Sequence, residues 1–289
     1  MSKPDFRSKL VLITGASRGL GLALAEAFWA QGADLFILGR SGDSLSTVAR
    51  GLRQGAHETQ RIGWLAVDLR DASAPQRIFQ GLRDFSGRLD VLVNNAAILG
   101  PIGPLADNDW TEWQNTFHIN FLAPAAICRE SIACMRDTGG VILNISGGGA
   151  TAPRPFFSAY GAAKAALVRF SETLAAEVKQ QRIRVNCIAP GAMNTQMTAA
   201  VLSAGPQLSG EAEYRKAIDQ SREATPPELA AELAVYLASD DCSLITGRLI
   251  SAAWDPWRDL HCRAAELEST DIYTLRRIVP EDRGREWTR

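Results

Sequence analysis

Leu10-Val11-Leu12-Ile13-Thr14-Gly15-Ala16-Ser17-Arg18-Gly19-Leu20-Gly21 runs from an apolar stretch through a glycine-rich turn into a helical start. The apolar Leu10–Ile13 suits a strand buried on both faces. The glycines follow a GxxxGxG spacing, not the GxGxxG of the dinucleotide fingerprint. Such a turn lets backbone N–H groups approach a pyrophosphate, and the N-terminus of the predicted helix, Leu20–Ala30, favours its negative charge. The same glycines also fit a tight βα turn with no ligand.

The strand–helix alternation continues outward from this stretch. Spacing predicts further strands at Asp34–Leu38, Ile62–Val67, Leu89–Val93, Val141–Ile145, Arg184–Ile188 and Arg248–Ser251. Helices are predicted at Leu45–Leu52, through roughly 109–135, at Ser158–Lys179 and at Pro227–Leu237. Near-continuous apolar strands alternating with helices imply an α/β fold, a doubly wound parallel sheet covered on both faces. Ligands are then expected beyond the carboxyl ends of the strands. Residues 192–225 are the least regular part and form a candidate lid over the site. One dinucleotide-binding and catalytic domain, 1–251, is expected, followed by a tail, 252–289. The tail is charged yet holds Trp254, Trp257 and Trp287, which suggests docking on a surface.

Composition excludes several classes. Of 289 residues 46% are hydrophobic, enough for a continuous core, and the net charge of −1 exerts no broad pull on nucleic acid or anionic membrane. No apolar run approaches the roughly 20 residues of a spanning helix. The opening MSKPDFRSKL has no apolar secretory core. Five cysteines without CxxC or paired spacing suggest reduced thiols, a cytoplasmic location and no structural metal.

The second informative stretch is Tyr160-Gly161-Ala162-Ala163-Lys164. With four Tyr and five Lys in the chain, a chance Tyr-x3-Lys is expected about 0.07 times. Positions i and i+4 share a helix face, and an ammonium beside a phenol favours the phenolate. A Tyr so tuned can exchange a proton with a carbonyl or alcohol oxygen near neutral pH. A surface polar pair on an amphipathic helix has the same spacing.

Together TGASRGLG, the NNAA at 94–97, Asn120 in a long helix, YGAAK and the PGxxxT at 190–195 resemble the short-chain dehydrogenase/reductase family, in order and in spacing, over about residues 8–251. The resemblance is to the short, single-domain branch. It implies a three-layer α/β/α Rossmann-type domain, NAD(P) as cofactor, and a homodimer or homotetramer. Residue by residue, it implies that Tyr160 is the acid/base. Lys164 would bind the nicotinamide ribose and lower the Tyr pKa, and Asn120 would hold a relay water through a local helix distortion. Gly15, Ser17, Arg18, Gly19, Leu20 and Gly21 would cradle the cofactor. Asp68 would contact the adenine, and Asn94 would support the turn after the fourth strand. Pro190, Gly191 and Thr195 would lie near the carboxamide.

One position departs from the family pattern. Its catalytic Ser lies thirteen residues before the Tyr, and here that position is Gly147, preceded by Ser146. Neighbouring side chains on extended backbone point opposite ways, so Ser146 is expected to point mainly away unless the glycines at 147–149 reshape the loop. Ser146 therefore stays a candidate catalytic residue only through that loop.

Cofactor choice is read from charge at the end of the second strand. An acid there would bind the ribose 2′-OH of NAD, but the residue is Arg40, which suits a 2′-phosphate, with Arg18 as a second cation. NADP is expected ahead of NAD. The substrate is expected to be a small secondary alcohol or ketone. Its pocket would be lined by Pro153-Arg154-Pro155-Phe156-Phe157, where Arg154 would bind an anion or form a loop salt bridge. Trp254 and Trp257 would either cap a pocket or pack on the protein's own core. A rival reading is a cofactor-binding protein with little turnover, a redox sensor or assembly partner, favoured by Gly147 alone.

Overall fold

A computed structural model describes residues 4–55 and 59–286, so Trp287 lies outside the described residues. Seven strands form one fully parallel sheet in the order β3-β2-β1-β4-β5-β6-β7. They are β1 (Leu10–Thr14), β2 (Asp34–Gly39), β3 (Ile62–Ala66), β4 (Val91–Asn94), β5 (Gly140–Ile145), β6 (Ile183–Ala189) and β7 (Leu249–Ser251). In β1 every residue is buried. Val11 and Ile13 enter one core with Leu35, Ile37 and Leu143, whereas Leu10 and Leu12 enter the other with Phe36, Leu38 and Ile142. Alternate side chains point to opposite faces and helices cover both, which is why the strands read as unbroken apolar runs. The winding reverses between β1 and β4, where Ile13 pairs with Ile37 on one side and Val93 on the other. That reversal opens a crevice at the strands' carboxyl ends.

The helices are α1 (Gly19–Ala30), α2 (Gly42–Arg53), α3 (Ala74–Phe85), α4 (Trp110–Phe117), α5 (Ala123–Met135), α6 (Ser158–Glu177), α7 (Gln196–Ser209), α8 (Glu211–Arg222), α9 (Pro227–Ala238) and α10 (Ala264–Ser269). Three stretches correct the sequence reading. No helix is predicted between the third and fourth strands, yet α3 forms there and buries Ile78, Phe79 and Leu82. Its apolar residues, Ala74, Ile78, Phe79, Leu82 and Phe85, recur at helical spacing, a period the sequence reading passes over. The expected helix through 109–135 is instead α4, a π-helical turn at His118–Leu122, and α5. Pro124 has no N–H to give the carbonyl four residues back, that of Asn120, so the regular ladder cannot run through. The irregular stretch after β6 is mostly helical. Thr195 caps α7 by accepting the Met197 N–H, and the non-helical Gly205 (φ 71°, ψ 172°) breaks the helix before Pro206 opens a further turn to Ser209.

Beyond β7 the chain packs back on the first core through Trp257, Leu260, Ala264 and Leu267. Trp257 donates its indole N–H to Ala252 O (3.0 Å), and its ring lies 5.5 Å from that of Tyr236. The Leu249 N–H, on the free edge of β7, is taken by Tyr273 O at 2.8 Å. The tail thereby blunts an edge that would otherwise offer unpaired backbone groups. Trp254 goes the other way: it is 72% exposed at the cleft rim. No helix among the described residues is long and apolar enough to cross a membrane.

Candidate active site

The strands' carboxyl ends open into a cleft of about 1580 Å³. Its floor begins at the glycine turn. Gly21 sits where a Cβ would lie 2.1 Å from Gly15 O and 2.7 Å from Asn95 Nδ2, a packing only glycine allows. Arg18, extended, precedes α1 without a side-chain cap, and no acid stands in the first turn. The first N–H groups of α1 are thus left for an anion, which fits a cofactor's pyrophosphate. Ser17, Arg18, Gly19 and Leu20 line the same wall. Arg40 is exposed at the end of β2 and Asp68 lies beside it in the cleft. Arg70 donates Nε and Nη2 to Asp68 Oδ2 (3.0 and 2.6 Å) and so holds the Asp68 carboxyl below its ordinary range, with the Arg40 charge adding to the effect.

Of the two asparagines after β4, the structure uses the one not expected. The Asn94 side chain turns into the core, where Nδ2 donates to Asn144 Oδ1 (2.9 Å) and approaches Cys128 Sγ (3.3 Å). It does not line the cleft. Asn95 supports the turn: its Nδ2 donates to Thr14 O (2.9 Å) and Gly15 O (3.2 Å), and its N–H reaches Thr14 Oγ1. Alternation along the strand end decides this, since the two neighbours must face opposite ways. Asn120 is fully buried, its side-chain amide paired with Ile98 through both N–H and C=O (2.9 and 2.8 Å). Its place in the π-helical turn matches the expected distortion, and its side chain is spent on the loop after β4. Pro190, Gly191 and Thr195 line the far wall.

Tyr160 and Lys164 are both buried on α6. Lys164 Nζ does not bond to the phenol. It donates to Ile145 O at the end of β5 (2.7 Å) and lies 5.8 Å from the Tyr160 ring. Burial lowers the Lys164 pKa to about 8. Burial also raises that of Tyr160, with the Arg154 charge opposing. Lys164 thus makes no bond to the phenol it was expected to acidify, and at Tyr160 desolvation outweighs the Arg154 charge.

Gly147 faces the phenol. A Cβ on Gly147 would stand 2.2 Å from Tyr160 Oη, so the hydroxyl occupies the space a side chain would take. Ser146 is buried, its N–H pairs with Ile188 O (2.8 Å), and its hydroxyl finds no partner among the described residues. Ser146→Ala should cost less than about tenfold in kcat. It should leave Tm unchanged or raised, because it removes an unpaired buried hydroxyl. A loss in kcat as large as that from removing the Tyr160 hydroxyl would return Ser146 to the reacting groups.

The outer wall comes from the 150s loop and the helices after β6; of the stretch expected to line the pocket, Pro153 and Arg154 do, whereas Pro155, Phe156 and Phe157 do not, Phe157 being fully buried behind Arg154. Leu99, Phe157, Val201 and Ala217 form an apolar cluster with Tyr160. Arg154 stacks on Phe157 (4.1 Å to the ring centre) and donates Nε to Glu213 Oε2 of α8 at 2.8 Å. Burial pushes the Glu213 carboxyl up, but its bonds from Lys216 and Arg154 hold it below its ordinary range. Sequence spacing alone does not pair Arg154 with Glu213, since they are 59 positions apart.

The family model of short chain dehydrogenases matches residues 9–205. A 3-oxoacyl-(acyl-carrier-protein) reductase of Chlamydia trachomatis is 32% identical over 245 residues, spanning 84% of this chain and 95% of its own. A 3beta-hydroxysteroid dehydrogenase 1 of Eggerthella lenta is 33% identical over 249 residues, spanning 84% and 91%. Among solved structures, an L-sorbose reductase from Gluconobacter frateurii, complexed with NADPH and L-sorbose, superposes with a TM-score of 0.75. It is 28% identical and covers 86% of this chain and 95% of its own.

Proposed function

The chain belongs to the short-chain dehydrogenase/reductase family of oxidoreductases, and from that premise we propose that it transfers a hydride between NADP(H) and a secondary alcohol or ketone, with Tyr160 as acid/base. The observation that carries this reading is the buried Tyr160 hydroxyl at the inner end of a cleft whose outer end is an uncapped helix N-terminus. When bound, the nicotinamide supplies or accepts the hydride. The chain's own residues do the rest. The glycine turn and the α1 N-terminus hold the pyrophosphate. Tyr160, kept protonated near neutral pH by burial, gives its proton to the oxygen of a ketone being reduced. Lys164, tied to Ile145 O, presents the remaining hydrogens of its ammonium to the cleft. The apolar wall of Leu99 and Val201, backed by the buried Phe157, keeps water from the reacting carbon. Purified protein should oxidise NADPH in the presence of a panel of small ketones. Absence of turnover with every ketone, and with every secondary alcohol in the reverse direction, would leave the low-turnover binding reading instead.

Arg40 supports NADP over NAD, as does the NADPH bound by the sorbose reductase. Arg40→Ala should weaken NADPH by about tenfold to a hundredfold, the loss of one charge-assisted contact, and leave NADH nearly unchanged. Titration of both cofactors against both proteins decides it, and equal losses would sink the NADP assignment. We also place a homodimer or homotetramer with this reading. Trp110, 58% exposed on α4 and stacked on Trp113, gives an apolar surface for a second copy. Its oligomeric state is read by mass in solution.

A further inference from the structure

Arg154 is not used by the chemistry above, yet it stands within the same cleft. Its guanidinium carbon lies 4.1 Å from the Phe157 ring centre and 5.7 Å from that of Tyr160. Nη1 comes 3.9 Å from where a Cβ would sit on Gly148, so the fork lies over the glycine run that faces the phenol. The side chain is only 20% exposed. Nε is taken by Glu213, and among the described residues neither Nη1 nor Nη2 has a hydrogen-bond acceptor. A flat guanidinium, fixed by a ring below and a carboxylate at one edge, thus turns its other edge toward the cleft. Planar forks of this kind bind carboxylates through two parallel hydrogen bonds. Lys216 also bonds Glu213 (2.8 Å), so Arg154 shares this carboxylate with a second cation and is not fully neutralised by it. Glu213 itself shows that the guanidinium accepts a carboxylate in this partly dehydrated setting.

We infer that Arg154 is the specificity-determining residue for a carboxylate on the substrate. The carboxylate would sit on the Nη edge, a few bonds from the carbonyl or alcohol carbon that faces Tyr160. The inference rests on the proposed hydride transfer at Tyr160 and names the substrate class for it: an oxo acid or the matching hydroxy acid. Glu213 is then a positioning residue that holds the plane of the fork through Nε. At Gly148, where a Cβ would meet nothing nearer than Arg154 itself at 3.9 Å, the missing side chain leaves room for the acid group beside the fork.

The test uses 2-, 3- and 4-oxohexanoate and their methyl esters, which share reacting carbonyls but differ in charge. With wild-type protein and NADPH, at least one acid should exceed its ester in kcat/KM by about tenfold or more. Arg154→Met, which keeps an apolar side chain on Phe157, should abolish that preference mainly through the acid's KM, so that the acid-to-ester ratio of kcat/KM falls to about one. Esters reduced as well as acids by wild type, or equal losses for acid and ester in Arg154→Met, would overturn the inference. Equal losses would instead mean that Arg154 acts on Tyr160. Calorimetric binding of the same acids to the NADPH-loaded protein separates the two layers. Acid binding that Arg154→Met loses, with no turnover of any compound, supports the carboxylate seat while the hydride-transfer reading fails. Turnover of esters with no acid binding overturns the seat and keeps that reading.

Discussion

Tyr160→Phe should lower turnover at least about a hundredfold while NADPH binding survives. The structure gives reasons for both halves. The Tyr160 hydroxyl makes no hydrogen bond with any described residue, so its removal leaves no buried partner unpaired and should not disturb the fold. Lys164 is held by Ile145 O and not by the phenol, so it stays in place. The glycine turn is untouched at the other end of the cleft. What is lost is the proton donor to the reacting oxygen. Because burial raises the phenol's pKa, wild-type kcat/KM for ketone reduction should stay level through neutral pH and fall only on the alkaline side, as the donor ionises. The measurement is steady-state NADPH oxidation across pH, together with cofactor titration of the variant. Reduction by Tyr160→Phe at wild-type speed would end the role assigned to this residue.

Gly147→Ser should slow the protein about tenfold to a hundredfold, although it restores the family's residue. The Cβ it adds would stand 2.2 Å from Tyr160 Oη. Ordinary contact then requires a displacement of about 1 Å, and a misplacement of that size at a reacting group can cost about a hundredfold. The backbone at 147 does not have a positive φ, so the substitution acts through this contact and not through chain strain. Gly147→Ala is the control. It carries the same Cβ without the hydroxyl and should lose as much or more. A rise in kcat with Ser and a fall with Ala would mean that Tyr160 moves aside cheaply and that the missing hydroxyl was limiting.

The carboxylate seat at Arg154 bears on the same loop. If Gly148 leaves room for an acid group, Gly148→Val should weaken oxo-acid binding, whereas Tyr160→Phe should not. The two substitutions thus separate the proton donor from the space beside it.

The sequence by itself determined the alternation of buried strands with helices, the glycine turn after Leu10–Thr14, and Tyr160 one helical turn before Lys164. These are legible because each depends on local spacing: a strand buried on both faces must be apolar throughout, and positions i and i+4 of a helix must share a face. Helix α3 was equally legible, since its buried residues Ala74, Ile78, Phe79 and Leu82 recur at helical spacing. Only the tertiary structure decided which asparagine after β4 meets the glycine turn, since pairing with β1 and β5 sets the face on which Asn94 is buried. It also decided that Lys164 bonds to Ile145 O, that Tyr160 is less acidic than a free phenol, and that Trp257 is core while Trp254 is rim. Desolvation, and contact between residues far apart in the chain such as Arg154 and Glu213, depend on what folds over them. Neither quantity exists until the helices after β6 close against the loop that follows β5.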